Sequence, residues 1–579
     1  MKRKRSEIVS LLLAGVLLLS ACSGQDSGEG QTNTAENPPN VTPKGQTQTL
    51  QIDGLIPASD KSRSPALAQN RKDTMVIGIL APKGVFNPLY SESAYDSYIS
   101  STIFESMLQL NKDGSYAPAL AEKYEVSDDK LKYTFHLKPG LKFSDGTPLT
   151  AEDVAFTITV LYDKSYDGPA DVTLAHLKGG QEYKEGKASS IEGIRVVDPQ
   201  TIEFTTTEVN ALTLGILGGS GILSKAYYGK GYKQGNLSYM VDLNQKPMGA
   251  GPYKLEKYTP GQEVRLTAND NYYLGKPKIP NLIYKVTSDD TNIQTLQTGE
   301  TDMETQVTVN KDNVELLKSL GFLDLNLFPT NGYGFIAMNH KNPLFQDKKV
   351  RQALAYGLNR KEIVDAVYQG YAEVINIPQS KVSWAYTDDV NKYPFDPEKA
   401  KKLLDEAGWK VGADGIREKD GKKFKISFAA STPNPVNDAI IPVAKENYKA
   451  LGIEFVPEQM DFNAVLDKMK KGDFDMLFLA WSLTEDPDAS TVFATGGPQN
   501  DIGYSNPKVD DLLSKGLKEI EPEKRKPIYV ELYKELNDDL PYIFLYQRRD
   551  MFPVNARIQG FDMSPYKKFP ASLYKVQIQ

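Results

Sequence analysis

Residues 131–156 read LKYTFHLKPGLKFSDGTPLTAEDVAF, and they have little conformational freedom. Leu131, Tyr133, Phe135 and Leu137 alternate with Lys132, Thr134, His136 and Lys138. A period of two places the four apolar side chains on one face of a strand. Pro139-Gly140 turns the chain, because proline presets φ and glycine accepts a positive one. Leu141 and Phe143 then read as the start of a second strand, and Asp145-Gly146 as another turn. Thr150-Ala151-Glu152-Asp153 predicts a helix start, with a hydroxyl cap and acids at the positive end of the dipole.

A chain of 579 residues can bury more than one core, since single cores stop growing near roughly 250–300 residues. The 40% hydrophobic and 25% charged content fits a globular protein. The formal net charge is −7; without residues 1–21, which hold four bases and one acid, it is −10. That balance argues against a polyanion partner, and no nucleic acid is expected.

Lys2, Arg3, Lys4 and Arg5 precede an almost wholly apolar run over 8–19. The run is shorter than the ~20 residues of a spanning helix and predicts an export signal. It ends in Leu19-Ser20-Ala21-Cys22, and Cys22 is the single cysteine of the chain. This pattern resembles the bacterial lipoprotein signal, which implies cleavage before Cys22 and a lipid on its sulfur. Residues 22–72 are rich in Gly, Ser, Thr, Gln, Asn and Pro, and predict a disordered tether with a reach of about 40 Å if flexible.

Beyond it, 74–80 predicts a buried strand and 96–110 a helix with Ile99, Ile103, Met107 and Leu110 on one face. Residues 194–204 predict two strands around Asp198-Pro199. The glycine-rich run 247–253 reads as a turn before a strand, and 333–339 as a strand. Asn359 predicts a helix cap. Asp396, Pro397 and Gly408 punctuate another helix. Strands over 424–428 and 453–456 flank a helix over about 436–451, a strand-helix-strand unit of the α/β kind. The apolar run 474–481 and residues 542–546 predict strands, with a helix over 523–536 between them.

In order, segment 131–156, Gly249-Ala250-Gly251-Pro252-Tyr253 and Gly299-Glu300-Thr301-Asp302 resemble motifs of solute-binding protein family 5. These are the oligopeptide- and dipeptide-binding proteins of ABC importers. The resemblance runs from about Thr74 to the end of the chain. It implies a bilobal, periplasmic-binding-protein-like α/β fold of class II with an extra subdomain in the N-terminal lobe. The implied division is 73–110, 223–332 and 545–579 for lobe I, 111–222 for the inserted subdomain and 333–544 for lobe II. It also implies a monomeric, lipid-anchored receptor on the outer face of the cytoplasmic membrane. Such a receptor closes on a short peptide and delivers it to an ABC permease, with no catalysis, cofactor or metal.

Nothing in the sequence assembles an enzyme. Gly218-Gly219-Ser220-Gly221-Ile222 lacks the last glycine of a nucleophile elbow, and 180–188 misses the phosphate-loop spacing. His136, His176 and His340 lack ligand spacing.

The resemblance carries candidate ligand contacts onto three stretches: Glu92, Ser93 and Ala94; Tyr333 and Phe335; and Ala480, Trp481, Ser482, Leu483 and Thr484. Trp481 would offer a flat wall and an indole N–H, the alternative being a core residue. Phe462 matches an aromatic that lines the family's cleft. One departure stands out. Where peptide binders often carry an aspartate for the ligand's ammonium, this chain has Thr484. Glu485 or Asp486 would take that role; otherwise the ligand is a non-peptide solute such as a nickel chelate, opine, sugar or pheromone. A surface hydrolase or a sensor lipoprotein is the reading from another class.

Overall fold

The computed structural model describes residue 51 and residues 53–579. The expected signal 1–21, Cys22 and most of the expected tether lie outside the described residues. The tether reading extends too far toward the C-terminus. Gly54–Ile56 is a strand paired with Leu323–Pro329, and Ala66–Gln69 is a short helix. This polar segment is held by distant groups. Ala58 N–H donates to Asp324 at 2.8 Å, and the Arg71 guanidinium donates to the Gly299 carbonyl at 2.7 Å. Local composition gives no sign of partners so far along the chain.

Thr74–Ile79 lies in the large sheet, parallel to Asn281–Val286. Helix α1 spans Ala94–Ile103, shorter than the expected 96–110. Gly251 N–H donates to the Ile103 carbonyl at 2.8 Å, which ends the helix. The following Leu108–Leu110 becomes a strand paired with Tyr116–Pro118.

Lys132–Leu137 lies inside a four-stranded antiparallel sheet, between Ala121–Val126 and Thr201–Thr205. Tyr133, Phe135 and Leu137 are buried, as their alternation requires. Gly140 and Gly146 take φ of +73° and +88°. The strand expected at 141–143 does not form; a single bridge between Lys142 and Pro148 stands in its place. The reason is that both edges of Lys132–Leu137 are already occupied. Ala151–Leu161 opens at the expected Thr150 cap, and the structure adds the reciprocal bond of a capping box, in which Thr150 N–H donates to Asp153 at 2.8 Å.

Strand β1 (Leu323–Pro329) runs through a short connection into β2 (Gly332–Met338). Lys425–Ser431 and Glu454–Met460 pair in parallel around the helix Pro435–Ala450, the expected strand-helix-strand unit. Helix α2 is Phe462–Lys471, and β3 is Met476–Ser482. Helix α3 (Pro522–Asp539) leads to β4 (Tyr542–Asn555).

β4 is far longer than the expected 542–546. Its first half pairs with β2 and its second half with β1. The polar run Gln547, Arg548, Arg549 and Asp550 hides this continuity in the sequence. In the fold, buried Gln547 donates to the Thr330 carbonyl at 2.7 Å, and Arg549 pairs with Glu373 at 3.0 Å. β4 and the β1–β2 connection therefore run side by side between two bodies. Their buried side chains form two large clusters. One holds Met75, Phe135, Tyr253 and Phe569; the other holds Phe335, Phe428, Phe478 and Tyr533. These are the cores of lobe I and lobe II, and the bilobal α/β expectation is met.

Candidate functional site

β3 is antiparallel to β2, with Tyr333 opposite Trp481 and Gly332 opposite Ser482. A Cβ on Gly332 would sit 2.4 Å from the Trp481 carbonyl, so only glycine permits this approach. Phe335 lies under the indole, its ring 6.0 Å from it and 9° from parallel. Phe335 also stacks on Tyr542 at 4.1 Å. The stack fixes the indole plane at the end of the lobe II core. Trp481 Nε1 is buried, with its N–H directed at the Tyr542 hydroxyl but short of full hydrogen-bond geometry.

A cavity of about 1190 Å³ opens beside this stack. Its walls include Ser97, Tyr116 and Lys568 from lobe I, and Trp481, Thr484 and Glu485 from lobe II. It is larger than the roughly 300–1,000 Å³ typical of small-molecule pockets.

The loop after β3 is tied down on both sides. Asn331 Nδ2 donates to the carbonyls of Leu483 and Thr484, each at 2.9 Å. Asp486 accepts two parallel bonds from Arg525 of α3, at 2.7 and 2.8 Å. Burial would lower the Arg525 pKa, but the Asp486 carboxylate outweighs it and holds the guanidinium above its ordinary range. Asp488 accepts from Ser490, yet burial still pushes its pKa up to about 6.

Glu485 differs from Asp486. Its partner is the Tyr116 hydroxyl, which reaches it from lobe I. Burial first, then the Glu485 charge, raises the Tyr116 pKa far above the phenol range. A second tie between the lobes is the Ala211 N–H, which donates to the Leu517 carbonyl at 2.8 Å. Glu105 also lines the cavity. It accepts from the Tyr272 hydroxyl at 2.9 Å, and burial pushes its pKa up to about 7.

The structure brings Tyr333, Trp481, Ser482, Leu483, Thr484, Glu485 and Asp486 to this cavity. It places the other candidates elsewhere. Phe335 supports the indole from the core, 1% exposed. Ala480 is exposed but is not part of the cavity wall. Phe462, the first residue of α2, is 53% exposed and away from the cavity. Ser93 caps α1 by accepting from Asp96 N–H at 3.0 Å. Glu92 sits at the surface, 3.9 Å from Lys83, and Ala94 opens the helix. The face of α1 that meets the cavity carries Ser97, Ser100 and Ser101, one to two turns further on. Tyr116, Glu105 and Lys568 were not singled out by sequence reasoning. They lie on short strands and loops whose neighbours are set only by the tertiary fold.

Among the described residues, no group of three or more His, Cys, Asp or Glu could hold a metal ion. None of their helices is long and apolar enough to cross a membrane.

Comparison with known proteins gives consistent results. Residues 115–503 match the profile of bacterial extracellular solute-binding proteins, family 5 middle. The chain is 30% identical to the oligopeptide-binding protein AppA of Bacillus subtilis, over 100% of this chain and 99% of that protein. It is 28% identical to heme-binding protein A of Haemophilus influenzae, over 84% and 89%. A solved structure of Bacillus subtilis AppA in complex with a nonapeptide superimposes with a TM-score of 0.73 at 29% identity. That match covers 87% of this chain and 99% of the other.

Proposed function

Because the chain belongs to the bacterial extracellular solute-binding proteins of family 5, we propose that it captures short peptides between its lobes and hands them to an ABC-type permease. The observation that carries this reading is the cavity between the lobes, walled on one side by the Trp481 indole. An extended peptide presents backbone acceptors of its own, and main-chain recognition is tolerant of sequence. The relative named as an oligopeptide-binding protein, matched along its whole length, supports the peptide class.

Glu485 is the acceptor for the ligand's ammonium. Asp486 is already neutralised by a two-pronged bond to Arg525, whereas Glu485 has only a phenol. A carboxylate facing an ammonium in a partly desolvated site gives a strong, directional bond. Trp481 supplies a flat wall and Tyr333 lies across from it. The division into lobe I, inserted subdomain and lobe II expected from the sequence belongs to this proposal and is supported by the two separate cores. The protein acts as a monomer and catalyses nothing.

Lys2 to Arg5, the apolar run and the Leu-Ser-Ala-Cys segment support a lipid anchor on Cys22 at the outer face of the cytoplasmic membrane. Two acyl chains would hold it stably where one would not.

Calorimetric titration with a mixed pool of short peptides tests the ligand class. Binding that saturates near one peptide per protein is expected. No heat from peptides, together with tight binding of another solute, would overturn the reading. Cys22→Ser is expected to release the protein from membranes, and its retention there would refute the lipid anchor.

A further inference from the structure

Three cationic side chains line the cavity: Arg525, Lys567 and Lys568. Arg525 is neutralised by Asp486. Lys567 is held by Asp562 at 2.9 Å. Lys568 is the one of the three whose ammonium has no ion-pair or hydrogen-bond partner within contact distance among the described residues. The side chain is open to solvent through the cavity, yet enough protein surrounds it that desolvation lowers its pKa; the charge of Asp550 acts the other way. Asp550 itself sits 3.8 Å from Arg548.

The backbone at this position is firmly set. Phe569 and Pro570, which follow Lys568, are buried, and the Phe569 ring packs 4.8 Å from Tyr98 of α1. Lys568 therefore projects into the cavity from a rigid base in lobe I, while Glu485 projects from lobe II. A rigid base reduces the ordering cost of each contact. A zwitterionic guest would satisfy both charges.

We propose that Lys568 is a carboxylate subsite, receiving a terminal or side-chain carboxylate of the bound peptide. The proposal rests on the peptide reading above.

Three peptide pools of equal length separate the sources: neutral peptides with free C-termini, the same peptides amidated, and amidated peptides that contain glutamate. Competition binding is measured on wild type, Lys568→Met and Lys568→Arg, with thermal melting as a check on folding. In wild type, the free-acid pool or the glutamate pool is expected to bind about tenfold more tightly than the neutral amidated pool. Whichever pool carries the advantage identifies the source of the carboxylate. The advantage is expected to vanish in Lys568→Met and to persist in Lys568→Arg. Equal binding of all three pools to wild type, or an advantage that survives Lys568→Met, overturns the assignment and leaves the peptide reading standing. Binding of no pool at all overturns both.

Discussion

The two walls of the cavity are built in different ways. The lobe II wall continues a regular element: β3 leaves an apolar core, its last ring stacks on Phe335, and the next loop is pinned by Asn331 and Arg525. The lobe I wall is an assembly of a helix face, a three-residue strand and a C-terminal loop, contributing Ser97, Tyr116 and Lys568 from widely separated parts of the chain. One wall is thus rigid because secondary structure and a buried ion pair make it so. The other depends on tertiary docking of small pieces, and the Tyr116–Glu485 bond is where the two meet.

This contrast can be broken first at its stiffest point. Arg525→Met leaves Asp486 buried without its counter-charge, and is expected to cost about 3–5 kcal/mol in denaturant unfolding. Adding Asp486→Leu should recover much of that loss, since an apolar pair often replaces a buried ion pair at little cost. A loss below about 1 kcal/mol for the single variant would show that the loop needs no ionic pin.

Both walls carry a buried acid with a raised pKa, Asp488 at about 6 in lobe II and Glu105 at about 7 in lobe I, and the larger pH effect is expected from Glu105. The folded pKa of Glu105 is raised to about 7 by burial, above its ordinary 4.5. Its protonated form is therefore favoured in the fold. That stabilisation is complete below about pH 4.5 and is lost as pH rises through about 7. Relative to Glu105→Gln, wild type is expected to lose roughly 2–3 kcal/mol between pH 4 and pH 8, read from unfolding curves across that range. Parallel curves for the two proteins would contradict this.

Trp481→Ala is expected to weaken peptide binding well beyond tenfold, above about 1.4 kcal/mol, in titration calorimetry. Unchanged affinity would make the indole a core residue only. Tyr116→Phe is the mildest test. Losing one hydrogen bond between the lobes should change peptide affinity by about 1 kcal/mol and leave unfolding of the lobe II core untouched.

The same contrast explains what the sequence reveals. The lobe II strand is legible because an apolar run ending in Trp481 needs no distant information. The strand-helix-strand order and the capped helices are legible for the same reason: period, cap and glycine are local signals. Three features are hidden by partners far along the chain. Residues 54–56 look like tether because their strand partner begins at Leu323. The helix at 96 stops at Ile103 because Gly251 takes its carbonyl. β4 crosses between the lobes through four polar residues whose partners, Thr330 and Glu373 among them, lie elsewhere. The candidate site divides along the same line. The stretch 481–486 reaches the cavity, whereas 92–94 point one to two turns short of it along α1 and Phe462 faces solvent. Lys568 carries no local mark at all, since a lysine in a loop is ordinarily a solvated side chain.

The central claim is that one guest is gripped by both walls at once. Photo-crosslinking a peptide pool that carries a photoreactive side chain, followed by mass-spectrometric mapping of the adducts, tests it most directly. Adducts are predicted on both 481–486 and the facing segments around 116 and 568, and they should vanish together under excess unlabelled peptide. Competed adducts confined to one wall, or lying wholly outside the cavity, would contradict the account.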